Sequence, residues 1–117
     1  MEKILVLNND PDTMSLLKIW LEKKGYEVKF TGSKKEAVQL AGSFKPSLII
    51  IDILQQGTLL AIKNTDEFKK VPVLLMTGHV SKHFNRILPV NDSIEKPFDM
   101  DLFEEKVREL LKSNVEA

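Results

Sequence analysis

Three side chains of complementary chemistry each follow a short apolar run. Asp52 follows Leu48–Ile51, Thr77 follows Val73–Met76, and Lys96 comes just after the weaker Ser93–Ile94. A carboxylate, a hydroxyl and an ammonium gathered at one place suit transfer of a phosphoryl group to the carboxylate. Aspartate can act as the nucleophile and carry the group as an acyl phosphate. Lysine and a hydroxyl can hold the transferred oxygens, with a divalent cation balancing the remaining charge. Singly, each residue has a plainer reading: a turn residue closing a strand, a strand-end hydroxyl, a solvated lysine. Their value is joint and depends on a fold that brings them together.

The elements around them can supply such a fold. Ile4–Leu7, Leu48–Ile51 and Val73–Met76 are continuously apolar, as strands buried on both faces of a parallel sheet are. Val28–Phe30 is a weaker run that suits an edge, and a fifth strand falls near Ser93–Ile94. Helical spacing alternates with these runs. Asp10-Pro11 offers a cap followed by Pro at the first helical position, and Gly25 ends that helix. Ser33-x-x-Glu36 is a capping box, and Pro46 closes the helix it opens. Thr58–Phe68 has weaker helical spacing, with Asn64-Thr65-Asp66 in its middle, and Asp99 caps a last helix through Lys112. Alternation of strands and helices with right-handed crossovers gives a doubly wound parallel α/β sheet. In such sheets the functional crevice lies at the carboxyl ends of the strands, where Asn8, Asn9, Asp10, Asp52, Thr77 and Lys96 all fall.

Composition narrows the function. The 117 residues suit one domain spanning 1–117. Lys plus Arg and Asp plus Glu both number 17, so no basic excess exists to neutralise a phosphate backbone, and nucleic acid is not an expected partner. With no cysteine, disulfide frameworks and thiolate chemistry are excluded. No apolar run approaches the roughly 20 residues of a membrane span, and Ile4–Leu7 is too short for a signal-peptide core. A cytoplasmic protein without membrane attachment is expected.

Four segments then carry a resemblance that covers essentially the whole chain. They are Lys3-Ile4-Leu5-Val6-Leu7, Pro46 to Ile53, Val71 to His79, and Lys96-Pro97-Phe98. In this order the sequence resembles the receiver domain of two-component response regulators. The resemblance implies a flavodoxin-like sheet of five strands in the order 2-1-3-4-5. It implies Asp52 as phosphoacceptor, Thr77 as switch hydroxyl and Lys96 as phosphate-binding lysine, with a cis Lys96–Pro97 peptide. It also implies Mg²⁺ at the site. The protein ligands would be Asp52, Asn9, Asp10 through water, and the backbone carbonyl of Leu54.

The sequence departs from the family pattern in ways that matter. Asn8 and Asn9 stand where receivers carry an acidic pair, so markedly weakened Mg²⁺ binding is expected, since that ion prefers carboxylate oxygens. The stretches from Leu54 to Pro72 and from His79 to Glu95 are short for the family, so its third and fourth helices should be shortened. Ser93 occupies the position of the aromatic switch residue. His79 and His83 have a helical metal-ligand spacing but no third ligand nearby, and solvent-exposed histidines are the better reading.

By this resemblance the chain is a stand-alone signalling module rather than a conventional enzyme. It would take a phosphoryl group on Asp52 from a sensor histidine kinase or phosphotransfer protein and switch a face that binds an output protein. The alternative is a pseudo-receiver, a protein-interaction module independent of phosphorylation. The Asn8-Asn9 pair and Ser93 favour it, while Asp52, Thr77 and Lys96 oppose it. A flavin-binding relative of the same sheet is disfavoured, because no Ser/Thr-rich phosphate loop follows the first strand.

Overall fold

The structure, a computed structural model, describes residues 2–52, 55–78 and 89–116, with side chains as far as residue 112. The three continuously apolar runs form the centre of the sheet as β1 (Lys3–Leu7), β3 (Leu48–Asp52) and β4 (Val73–Thr77). The less apolar β2 (Glu27–Thr31) and β5 (Asp92–Glu95) lie at its edges. The order is β2-β1-β3-β4-β5 with every pairing parallel, as expected.

Side chains alternate between the two faces of each strand. On one face Ile4, Val6, Ile50 and Met76 pack with Leu17 and Leu21 of α1 (Pro11–Lys23) and with Phe103 and Val107 of the C-terminal helix α4 (Met100–Glu116). On the other, Leu5, Leu7, Ile51 and Leu75 pack with Ala37 and Ala41 of α2 (Lys34–Phe44) and Ile62 of α3 (Gln56–Lys63). Covering both faces is what makes continuous apolar strands stable. Trp20 meets Phe103 edge-on at 6.3 Å and packs against this core.

Local chemistry fixes the helix ends. The Asp10 side chain accepts the Asp12 N–H, and Pro11 opens α1. Gly25, at φ 92°, supplies the left-handed turn after it. Ser33 Oγ accepts the Glu36 N–H at 3.3 Å, and α2 ends where Lys45 turns left-handed before Pro46. Asp99 Oδ1 accepts the Asp101 N–H at 2.8 Å at the start of α4, which runs past residue 112 to Glu116.

One expected helix is broken. In place of Thr58–Phe68, α3 stops at Lys63, Thr65 is extended, and Asp66–Phe68 form a separate 3₁₀ turn. The cause lies in Asn64-Thr65-Asp66, whose short polar side chains compete with helical hydrogen bonding. Thr65 Oγ1 donates to the Ile62 carbonyl at 2.8 Å. Lys63 Nζ donates to the carbonyls of Lys69 and Val71 and so ties the turn to the approach of β4. Burial pushes the Lys63 ammonium below the usual lysine range. With 8 residues, against 13 in α1 and 11 in α2, α3 is the short third helix expected. The expected fourth helix falls largely in 79–88, outside the described residues, as do His79 and His83.

Candidate functional site

The carboxyl ends of β1, β3, β4 and β5 meet at one rim of the sheet. Asp52 closes β3, and Lys96 follows β5 directly. Lys96 Nζ donates to Asp52 Oδ2 at 2.8 Å. The Asp52 side chain is 16% exposed and that of Lys96 31%, so the pair is partly shielded from solvent screening. The Lys96 N–H donates to the Thr77 carbonyl at 2.8 Å, which ties it to the end of β4. The Lys96–Pro97 peptide is cis.

Thr77 ends β4 and is 3% exposed. It lies one step beyond Met76, the register partner of Asp52. Thr77 continues the alternation of Val73 and Leu75, whereas Asp52 continues that of Ile50, so the two start from opposite faces. Its hydroxyl is not among the groups lining the cleft at Asp52. Ser93, on β5, is paired in register with Leu75 and donates its N–H to Asp92 Oδ1.

The β1 end is the part that sequence reasoning describes least well. β1 and β3 run in register from Ile4↔Leu48 to Leu7↔Ile51, and the next step sets Asn8 beside Asp52. Asn8 continues the alternation of Ile4 and Val6, and Asp52 that of Ile50, so both side chains rise on the α1–α4 face. Asn8 is 1% exposed. Its Oδ1 accepts the Asp10 N–H at 2.6 Å, which turns Nδ2 the other way. That Nδ2 is buried without a hydrogen-bond partner among the described residues. An unpaired buried donor of this kind costs about 1–3 kcal/mol.

Asn9 and Asp10 flank the same place. A Cβ added at Gly32 would fall 1.3 Å from Asn9 Oδ1, so the Asn9 carboxamide lies over the Gly32 backbone and only glycine allows it there. Gly32 is a residue that the sequence alone does not flag, beyond its position just after a strand. The Asp10 carboxylate accepts the Thr13 hydroxyl and the Asp12 N–H at the start of α1. The Thr13 hydrogen bond holds Asp10 below the usual carboxylate range, with slight burial opposing and Lys96 helping weakly. Asn8, Asn9, Asp10, Pro11, Asp52 and Gln55 line a cleft of about 350 Å³. Leu54, whose carbonyl completes the expected metal site, lies outside the described residues.

These groups suit a hard divalent cation poorly. Such an ion collects oxygen acceptors in near-octahedral geometry. Here the neighbour of Asp52 in register has a buried N–H donor, Asn9 Oδ1 lies over Gly32, and Asp52 Oδ2 is paired with Lys96. Among the described residues, no group of three or more His, Cys, Asp and Glu side chains could hold a metal ion. What the arrangement offers is a carboxylate with an ammonium beside it, at the carboxyl end of the central strand.

The response regulator receiver domain family matches residues 4–108. The chain is 26% identical over 118 residues to the alkaline phosphatase synthesis transcriptional regulatory protein PhoP of Bacillus subtilis, a match covering 95% of this chain and 49% of that protein. The chain spans about half the length of the curated relatives it matches first. Among solved structures it is similar to the response regulator protein TrrA of Thermotoga maritima in complex with Mg²⁺-BeF. That likeness has a TM-score of 0.79 and 27% identity, over 94% of this chain and 99% of that one. The receiver domain of the sensor histidine kinase PA1611 of Pseudomonas aeruginosa, with a magnesium ion in its active site cleft, shares the fold. Its TM-score is 0.85 at 18% identity, over 95% of this chain and 98% of that one. A parallel sheet in this order, with Asp52 and Lys96 paired at its rim, defines the class, and the chain belongs to the receiver domains of response regulators. Among the described residues no helix is long and apolar enough to cross a membrane.

Proposed function

We propose that Asp52 is the phosphoacceptor of this receiver domain, charged by the phosphohistidine of a sensor histidine kinase or phosphotransfer protein. An oxygen of Asp52 attacks phosphorus, the O–P bond forms, and the P–N bond breaks with its electron pair left on the imidazole nitrogen. Lys96 Nζ, already 2.8 Å from Asp52 Oδ2, is in reach of a phosphoryl oxygen as charge develops. The new negative charge then redraws the hydrogen bonds at the rim, with Thr77 the hydroxyl that answers it, and changes a surface that an output protein binds. The Asp52–Lys96 pair is the observation that carries this reading.

Cation binding is the weak part of the site. The remaining candidate donors for Mg²⁺ are Asp52, the Asn9 carbonyl, Asp10 through water and the Leu54 backbone carbonyl. With two amides in the acidic positions, the ion would be bound far less tightly than by a carboxylate pair.

The test is incubation with phosphoramidate at millimolar Mg²⁺, read by intact-protein mass spectrometry. The expected result is a gain of one phosphoryl group by the native chain and none by Asp52→Ala. Labelling that persists in Asp52→Ala would assign the acceptor elsewhere. No labelling of the native chain would favour an interaction module that works without phosphorylation.

A further inference from the structure

We propose that the Asn8 carboxamide supplies a hydrogen bond to the phosphoryl group on Asp52, and that phosphorylation is therefore independent of a divalent cation. The inference rests on Asp52 being the acceptor. Two features of the β1 end lead to it. Asn8 stands beside Asp52 in the β1–β3 register on the same face of the sheet, and both line one cleft. Its Nδ2 is buried with no acceptor among the described residues, while Oδ1 is fixed on the Asp10 N–H. A buried donor lacking a partner calls for an acceptor, and a phosphoryl oxygen on the neighbouring Asp52 would be one.

Charge reaches the same conclusion independently. Where two carboxylates flank the acceptor, an incoming phosphoryl dianion meets like charge, and a cation is needed to offset it. Here Asn8 and Asn9 are neutral, and the Asp52 charge is paired with Lys96. Asp10 retains its carboxylate but is exposed and engaged with Thr13 and Asp12. The repulsion from flanking carboxylates is reduced, and that between the Asp52 carboxylate and the phosphoryl oxygens is left to Lys96 and the Asn8 N–H. Lys96 and the Asn8 N–H then stabilise the oxygens directly, as preorganised donors do. The step balances without a co-reactant. With phosphoramidate as donor, Asp52 forms the O–P bond, and the P–N bond breaks to release ammonia with its electron pair.

The experiment follows phosphoramidate labelling by mass spectrometry in EDTA and in millimolar Mg²⁺, for the native chain and for Asn8→Asp. The native chain should label at rates within about twofold of each other in the two conditions, whereas Asn8→Asp should lose about tenfold or more in EDTA and recover in Mg²⁺. Loss of native labelling by tenfold or more in EDTA, with full labelling in Mg²⁺, would overturn this inference and leave Asp52 as the acceptor. No labelling in either condition would remove both readings. The native-chain comparison decides the question even where Asn8→Asp does not fold.

Discussion

The carboxyl ends of β1 and β3 are neighbours in register, yet their chemistry differs. β3 ends in a carboxylate whose charge is met by Lys96 at 2.8 Å. β1 is followed by a neutral amide, Asn8, buried, with one half bonded to the Asp10 N–H and the other without a partner among the described residues. The proposed acceptor and its lysine are both present, whereas Asn8 and Asn9 carry no charge and Asp10 alone retains a carboxylate after β1. A change at the end of β1 can therefore weaken cation binding and leave the Asp52–Lys96 pair in place.

The strongest way to break the comparison is on the β3 side. Lys96→Ala should slow phosphoramidate labelling by about a hundredfold, the order of loss for one oxyanion donor. It should change unfolding free energy by less than about 1 kcal/mol, since the pair is partly exposed. Chemical denaturation beside the labelling assay checks both, and a large loss of stability would make Lys96 a structural residue instead. On the β1 side, Asn9→Asp should tighten Mg²⁺ binding about tenfold by restoring a carboxylate, as measured by calorimetric titration. Unchanged affinity would mean that this position does not face the cation.

Two smaller effects sharpen the picture of the β1 end. Gly32→Ala puts a methyl group where the Asn9 carboxamide lies, with the Asn8 carbonyl 3.3 Å away. The amide must swing off, at about 1 kcal/mol in a thermal melt. Asp10→Ala should lower the melting temperature through loss of the α1 cap, and Asp10→Asn should largely preserve it at neutral pH. The Asp10 carboxyl is held below its ordinary value of 3.8, chiefly by the Thr13 hydroxyl. Its contribution is thus fully present above that value and lost as pH falls through the lower native one. Melts of the native and Asp10→Asn chains should therefore coincide at neutral pH and part in that acid window, where the native chain alone loses stability at this position.

Much of this was legible in the sequence because it depends on residue type in one dimension. The runs Ile4–Leu7, Leu48–Ile51 and Val73–Met76 announced a doubly covered sheet, and the residues after them announced its rim. Asp10-Pro11, Gly25, Ser33 and Asp99 marked helix ends through local hydrogen bonding that the structure contains. The helix over Thr58–Phe68 was overdrawn, since apolar spacing continued while Thr65 took its hydrogen bond to Ile62. Asn8 was legible as a lost charge but not as a buried, half-satisfied amide. That condition arises from the β1–β3 register and from the turn at Asp10, which no spacing rule contains. Gly32 was missed for the same reason, because the space above it is taken by the Asn9 side chain, which comes from the end of the neighbouring strand.

The central claim is that Asp52 accepts the phosphoryl group with Asn8 as a direct hydrogen-bond donor. Amide NMR spectra with beryllofluoride, first without and then with Mg²⁺, test it most directly. The account predicts shifts at Asp52, Thr77 and Lys96 and at the Asn8 side-chain amide already without Mg²⁺, all absent in Asp52→Ala. An Asn8 side-chain resonance that stays still while the others move, or shifts that need Mg²⁺, would contradict it.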